Sequence, residues 1–116
     1  MPGQFSLQDV VGDGDHRLVL AGELDLTAVP VLERCLREIC THETSSVTID
    51  LSGLTFMDSN GLRIVLLARE LCEQNGCDFM LVQGPAQVRR LFDLSCLLDR
   101  LPFREQSSQA EHYQGS

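Results

Sequence analysis

Apolar residues alternate with polar ones in some segments of the chain and recur every three or four positions in others. The clearest change of pattern occurs between Val47 and Leu71. Its first part predicts a strand, whose side chains point to opposite faces in turn; the apolar positions are Val47, Ile49 and Leu51. From Leu62 onward the apolar residues follow helical spacing. The junction therefore places Ser59, with Asp58 beside it, at or next to the first turn of a helix, where a hydroxyl projects toward solvent or a partner.

The same periodicities along the whole chain predict the order strand, strand, helix, strand, helix, strand, helix. The predicted strands are residues 5–11, 17–22, 47–51 and 79–82; the helices run from about 28 to 42, 59 to 75 and 84 to 92. The turn sequence Gly12-Asp13-Gly14-Asp15 joins the first two strands in a hairpin, and His16 is placed in that turn. Thr27 is predicted as the N-cap of the first helix, and Pro30 suits its first turn because no N–H is lost there.

Alternating strands and helices imply right-handed crossovers and parallel strands. The predicted fold class is therefore α/β, with a small mixed sheet whose first strand is antiparallel and whose later strands are parallel, and with helices packed against it. Residues 1–103 are predicted to form a single domain, in which the segment 97–103 is packed but of no assigned type. The segment 104–116 is rich in Gln, Ser, Glu and Gly, which predicts a disordered tail.

Composition narrows the possible functions. A formal net charge of -8 in 116 residues argues against nucleic-acid binding, which requires a basic face. All basic residues are Arg, so neither a phosphate-binding Walker lysine nor a side-chain Schiff base is possible. No apolar run reaches the roughly 18 residues of a membrane span, and the N-terminus does not resemble a secretory signal. These features predict a cytoplasmic protein.

The chain contains five cysteines, including two C-x4-C pairs: Cys35 with Cys40 and Cys72 with Cys77. Residues five apart on a helix point about 140° away from each other. We therefore expect the cysteines to be small buried or half-buried apolar residues rather than disulfide partners or metal ligands. No metal and no cofactor is predicted.

Three interpretations of Ser59 compete. In the first, it belongs to a simple helix cap, with Asp58 or Ser59 as the capping residue. In the second, it is a catalytic nucleophile, but the surrounding sequence is not G-x-S-x-G, and the three histidines, His16, His42 and His112, are scattered. The third interpretation is a phosphorylatable serine on a docking face, in a protein that is not an enzyme.

Three passages favour the third interpretation. They are Gly22-Glu23-Leu24-Asp25 before Thr27-Ala28; residues 47–53 leading to Phe56-Met57-Asp58-Ser59-Asn60-Gly61-Leu62; and Leu91-Phe92-Asp93-Leu94. In order and spacing over residues 5–103, they resemble a STAS domain of the bacterial anti-sigma-factor antagonist family. The Asp-Ser-x-Gly-Leu segment is the most specific of the three.

The resemblance implies a function and a set of partners. The unphosphorylated antagonist binds an anti-sigma factor, often itself a serine kinase, and thereby releases a sigma factor. The kinase phosphorylates the serine that matches Ser59, which ends binding, and a serine phosphatase reverses the modification. The implied partner-binding residues are Asp25, Asp58, Ser59, Asn60 and Gly61.

Two residues leave questions open at this point. Asn60 stands where many relatives have a second small residue, which could alter the preference of the kinase. Asp25 matches the acidic residue that ends the family's second strand, and its alternative role is to bound the turn before the first helix. The alternative function within the same fold is a STAS module of another assembly, such as a stress-signalling scaffold or a lipid-transport accessory subunit.

Overall fold

In the part of the chain that the structure describes, five strands form one mixed sheet, in which neighbouring strands follow the order of the sequence. The computed structural model describes residues 4–94 and the backbone of residues 103–104. The strands are β1 (Ser6–Gly12), β2 (Asp15–Leu24), β3 (Ser46–Met57), β4 (Asp78–Val82) and β5 (Phe103–Arg104), and the helices are α1 (Val29–Ile39), α2 (Ser59–Asn75) and α3 (Ala86–Leu94). Only the β1–β2 pair is antiparallel, and each later pair is parallel. The predicted fold class is therefore confirmed.

A two-residue turn closes the first hairpin. Asp13 and Gly14 both have positive φ, at 50° and 83°, which is the backbone conformation of the tight turns that match the twist of paired strands. The prediction for His16 was wrong, because this residue lies inside β2 opposite Val11. Its Nδ1 atom lies 3.0 Å from a carboxylate oxygen of Asp9 across the hairpin.

The core lies between the helices and one face of the sheet. Consecutive parallel strands joined by right-handed crossovers in one direction bring α1, α2 and α3 to the same face. The inward positions of the central strands are fully buried: Leu18, Leu20, Val47, Ile49, Leu51 and Leu81. On the other face of the sheet, Arg17 donates to the buried carboxylate of Asp50 at 2.7 Å.

The first helix is shorter than predicted at both ends. Its N-cap is Ala28 rather than Thr27, and no side chain caps it. Thr27 instead donates to the carboxylate of Asp25. The helix ends at Ile39 rather than near His42, because the hydroxyl of Thr44 donates to the Ile39 carbonyl and takes the place of a further helical turn. Pro30 lies in the first turn, as predicted.

The third strand is longer than predicted, since it continues through Gly53 and ends at Met57. Arg104, the first residue of the predicted tail, pairs with Val82 as part of β5. The rest of that tail (105–116) and the segment 95–102, with Cys96, lie outside the described residues. In the described part of the chain, no helix combines the length and the apolar character that crossing a membrane requires.

Candidate functional site

The candidate site lies where two neighbouring parallel strands end. Leu24, the last residue of β2, pairs with Met57, the last residue of β3. Asp25 directly follows β2 and Asp58 directly follows β3. Adjacent strands lie about 4.8 Å apart. Ligands and partners of α/β folds commonly bind beyond the carboxyl ends of such strands. The fold therefore brings Asp25 to the same edge as the Asp58-Ser59 segment.

The first turn of α2 is capped by Asp58. Its backbone is extended, with φ -112° and ψ -170°, and its Oδ1 atom accepts from the N–H groups of Asn60 (2.9 Å) and Gly61 (3.3 Å). The carbonyl of Asp58 accepts the first helical bond, from Leu62, at 3.1 Å. A cap of this kind stabilises a helix by about 1 kcal/mol. The capping interpretation is thus confirmed for Asp58, which leaves the Ser59 hydroxyl without that task.

Gly61 holds the first turn of α2 close to the strand ends. A Cβ atom at this position would lie 2.5 Å from Cγ of Met57, 2.8 Å from the carbonyl oxygen of Leu24 and 3.0 Å from its Cγ. Gly61 is itself buried. The helix can approach the sheet this closely only because position 61 has no side chain, and this contact sets the position of Ser59 two residues earlier.

Ser59 is the first residue of α2 and is exposed. Asp58 and Asn60 on either side are half-buried. The side-chain Nδ2 atom of Asn60 lies 3.5 Å from Oδ2 of Asp58. The serine hydroxyl therefore stands at the end of a rigid helix with open access to solvent. The N–H groups of Asn60 and Gly61 already donate to Asp58. A new negative charge on Ser59 would therefore lie beside a carboxylate and would find these two donors occupied.

Asp25 organises the turn between β2 and α1. Its carboxylate accepts from the N–H and the hydroxyl of Thr27, at 3.1 and 2.7 Å, and its carbonyl accepts from Ala28 and Val29. The hydrogen bond from the Thr27 hydroxyl is the main reason that the pKa of Asp25 lies below its usual value of 3.8. The turn-bounding role of Asp25 is therefore confirmed, and a contact with a partner remains a prediction.

A groove of about 270 Å³ lies between α1 and α2 next to Asn60. Mostly apolar side chains line it together with one acidic and one basic residue, namely Leu26, Val29, Glu33, Asn60, Arg63, Ile64 and Leu67. Leu26 is 65% exposed, and Phe56, three residues before Ser59, is 44% exposed. Exposed apolar side chains beside a polar rim are typical of protein-binding surfaces.

Sequence reasoning did not identify Leu26 or Phe56 as candidate residues. Phe56 is exposed between the buried positions Leu54 and Met57, in the part of β3 after Leu51 where the buried positions recur every third residue instead of every second. Arg63 is exposed and also lines the groove.

The histidines in the described part of the chain lie far from Ser59. His16 pairs with Val47 at the start of β3, and His42 precedes that strand. Ser59 follows the other end of the same strand, about 30 Å away at 3.3 Å per residue. Neither His16 nor His42 can therefore act as a base for this serine.

A model of the STAS domain family matches residues 8–110. The chain belongs to the STAS domain family. An anti-sigma-B factor antagonist of Staphylococcus epidermidis is 27% identical to this STAS domain over 101 residues, which are 87% of this chain and 94% of that protein.

Solved structures show the same fold. An anti-sigma factor antagonist from Mycobacterium paratuberculosis superposes with a TM-score of 0.81 at 23% identity and covers 100% of this chain and 98% of its own. The antagonist SpoIIAA in its unphosphorylated form has a TM-score of 0.76 at 22% identity, covering 97% of this chain and 96% of its own. Its phosphorylated form, from Bacillus, has a TM-score of 0.70 at 21% identity, covering 97% and 100%.

Proposed function

We propose that this STAS domain is an anti-sigma-factor antagonist whose unphosphorylated form binds an anti-sigma factor and whose binding is ended by phosphorylation of Ser59. The observation that carries the proposal is the exposed Ser59 hydroxyl at the N-terminus of α2, beside an apolar groove. The name of the Staphylococcus epidermidis relative supports the anti-sigma factor as the partner. In the proposed cycle the anti-sigma factor is also the serine kinase, a serine phosphatase restores the hydroxyl, and this chain contributes no catalytic group.

The proposed contact surface has its centre at Ser59 and Asn60, with Asp25 and Asp58 at its edge. Leu26 and Phe56 supply the apolar area that desolvation requires, because both are exposed while the surrounding apolar residues are largely buried. Gly61 is buried and contributes by fixing the position of the turn. The acidic residues suit a partner with a basic patch, in line with the overall charge of -8.

A phosphate on Ser59 acts on this surface in a direct way. It adds about -1.5 to -2 charges at neutral pH, next to Asp58 and at the same sheet edge as Asp25. In a complex the phosphate must lose its bound water without gaining hydrogen bonds from the N–H groups of Asn60 and Gly61, because both already donate to Asp58. A desolvated, unpaired charge costs several kcal/mol, and about 1.4 kcal/mol corresponds to tenfold in affinity. The expected loss is therefore 100-fold or more, without unfolding.

The test begins with identification of the partner. The tagged protein is used to recover binding proteins from its native cell, and mass spectrometry identifies them. Recovery of an anti-sigma factor with a serine-kinase domain supports the proposal. Recovery of a transporter ATPase or a stress-signalling scaffold in its place would instead support the alternative STAS assemblies.

The purified partner then allows a direct test of Ser59. Ser59→Asp should weaken binding at least 30-fold in calorimetry while the melting temperature changes by less than about 3 °C, because surface substitutions seldom exceed 0.5 kcal/mol. Ser45→Asp is the matched control: Ser45 is also exposed but lies in the segment before β3, at the opposite edge of the sheet. Ser59→Ala should bind like the wild type and accept no phosphate from ATP.

The control separates local from general effects of charge. If Ser59→Asp and Ser45→Asp weaken binding equally, overall charge explains the result and the proposed interface is wrong. If Ser59→Asp binds as tightly as the wild type, Ser59 is not part of the contact. Phosphate found by mass spectrometry at another residue in the Ser59→Ala protein would refute the assignment of the modified site.

A further inference from the structure

Three buried cysteines meet at the end of the molecule opposite Ser59. Cys40, Cys72 and Cys77 are 6%, 0% and 7% exposed, and their sulfur atoms all lie within 4.8 Å of one another. The Sγ atoms of Cys40 and Cys72 are 4.0 Å apart. All three are free thiols. We call this group the thiol cluster.

The ends of two helices create the thiol cluster. Cys40 is the C-cap residue of α1, with its N–H bonded to the Leu36 carbonyl at 2.9 Å. Cys72 lies in the last turn of α2, and Gly76 then takes the left-handed conformation with φ 73°. This reverses the chain, so that the Cys77 N–H bonds back to the Cys72 carbonyl at 3.0 Å, a helix ending that brings these two side chains together.

The expectation that Cys72 and Cys77 point apart was therefore wrong. It assumed that the helix continues through both residues, whereas α2 ends at Asn75. Cys35, which is half-buried on α1, does stay apart from Cys40 and is not part of the cluster. The buried or half-buried state predicted for the described cysteines is confirmed.

The geometry matches a three-coordinate metal site. In an equilateral triangle with 4.0 Å sides, the centre lies about 2.3 Å from each corner, which is the usual length of a bond between a thiolate and a first-row metal. Pairs at the 4.8 Å limit would need to contract by less than 1 Å. Two helices also direct their C-terminal ends, which carry partial negative charge, at the cluster, and this favours a bound cation.

We propose that Cys40, Cys72 and Cys77 bind a single thiophilic metal ion, with monovalent copper as the best fit. Thiolate ligands select soft ions such as Cu(I) over Mg²⁺ or Ca²⁺, which require oxygen. Structural Zn²⁺ sites need four ligands, and among the described residues no His, Asp or Glu joins the three thiols. Each metal–sulfur bond that forms replaces a thiol proton, which leaves to the solvent.

The site is independent of the proposed function. Cys72 lies 13 residues after Ser59 on the same helix, which corresponds to about 20 Å at 1.5 Å per residue. An ion at the cluster would join α1 to α2 at the end far from the proposed contact surface. Loss of metal binding and loss of partner binding can therefore be measured separately.

The test uses the full, reduced chain under anaerobic conditions. Cu(I) is titrated against a chromogenic Cu(I) chelator, and X-ray absorption measures the ligands of the bound ion. One tightly bound ion per chain is expected, with three sulfur neighbours at about 2.3 Å. Cys72→Ala and Cys77→Ala should each lower the affinity at least 100-fold, whereas the control variant Cys35→Ala should bind like the wild type, because Cys35 is not part of the cluster.

Several results would overturn the proposal. They are the absence of a stoichiometric ion, equal losses in cluster and control variants, or an ion with oxygen or nitrogen neighbours, including Zn²⁺ in a four-ligand site. Circular dichroism of the metal-free variants checks their folding. If Cys72→Ala does not fold, Cys77→Ala and the X-ray absorption of the wild type still decide between a metal site and apolar packing alone.

Discussion

Adding one methyl group at position 61 tests how the first turn of α2 is positioned. The substitution Gly61→Ala has two opposing effects on stability. In open space, Gly→Ala stabilises a protein by about 0.4–1 kcal/mol, because the unfolded chain loses conformational freedom. At position 61 the new Cβ atom would lie 2.5 Å from Met57 Cγ and 2.8 Å from the Leu24 carbonyl oxygen. The Met57 side chain can move, but the Leu24 carbonyl belongs to β2 and cannot.

The steric effect should exceed the entropic gain. Overpacking of a dense interior costs about 1–3 kcal/mol, so the net expectation is a loss of about 1–2 kcal/mol in the free energy of unfolding. For a domain of this size that corresponds to a melting temperature lower by roughly 4–8 °C. The physical change is a displacement of the first turn of α2 away from the strand ends, which also displaces Ser59.

Urea denaturation followed by circular dichroism measures the effect, with Gly12→Ala as the matched control. An added Cβ at Gly12 meets nothing within 4 Å, so this variant should be as stable as the wild type or slightly more stable. The two variants should therefore change the urea midpoint in opposite directions or at least by clearly different amounts. If Gly61→Ala raises stability as much as Gly12→Ala does, the close approach of α2 to the sheet is not what requires glycine.

Two further changes test the cap and the outer face of the sheet. Asp58→Ala removes the acceptor of two first-turn N–H groups and should lower the free energy of unfolding by about 1 kcal/mol, whereas Asp58→Asn should cost less; equal losses in urea denaturation would contradict the capping role. Arg17→Gln takes the guanidinium from Asp50 and should cost about 1.5–3 kcal/mol at pH 7. Burial acts to raise the pKa of Asp50, but hydrogen bonds from Ser52 and Arg17 outweigh it and hold that pKa below 3.8. The contribution of the Asp50 carboxylate to the free energy of unfolding is then complete above about pH 4 and is lost as the pH falls through its folded-state pKa. The difference in free energy of unfolding between the wild type and Arg17→Gln should therefore shrink in acid. A difference that stays constant from pH 7 to pH 3 would contradict this account.

Sequence reasoning was most accurate where local chemistry marks an element's ends. The predicted bounds of α2, residues 59–75, agree with the structure. Asp58 supplies an acceptor for the first N–H groups, and Gly76 adopts the left-handed conformation that ends the helix. Both signals lie within two residues of the boundary, so no information from distant parts of the chain was needed.

The errors arose where contacts with residues outside the element decide where it ends. The alternation of apolar and polar residues predicts that β3 ends at Leu51. In the structure, pairing with β2 carries the strand on to Met57, across two irregularities in the register of that pair. The end of α1 depended on Thr44, five residues beyond it, whose hydroxyl bonds the Ile39 carbonyl. Sequence periodicity contains neither of these contacts.

The cap at Asp58 also limits the ways in which the proposed phosphorylation of Ser59 can act. If the phosphate displaced the Asp58 carboxylate and accepted the N–H groups of Asn60 and Gly61, it would stabilise the helix end by about 0.3–1 kcal/mol. That arrangement would leave Asp58 without its two donors and close to a dianion, which opposes the gain. With the cap intact, the phosphate instead remains at the surface, where it changes what can dock while the fold stays the same. A melting temperature that is unchanged or slightly lower on phosphorylation, together with lost binding, is the combination that this arrangement of charges predicts.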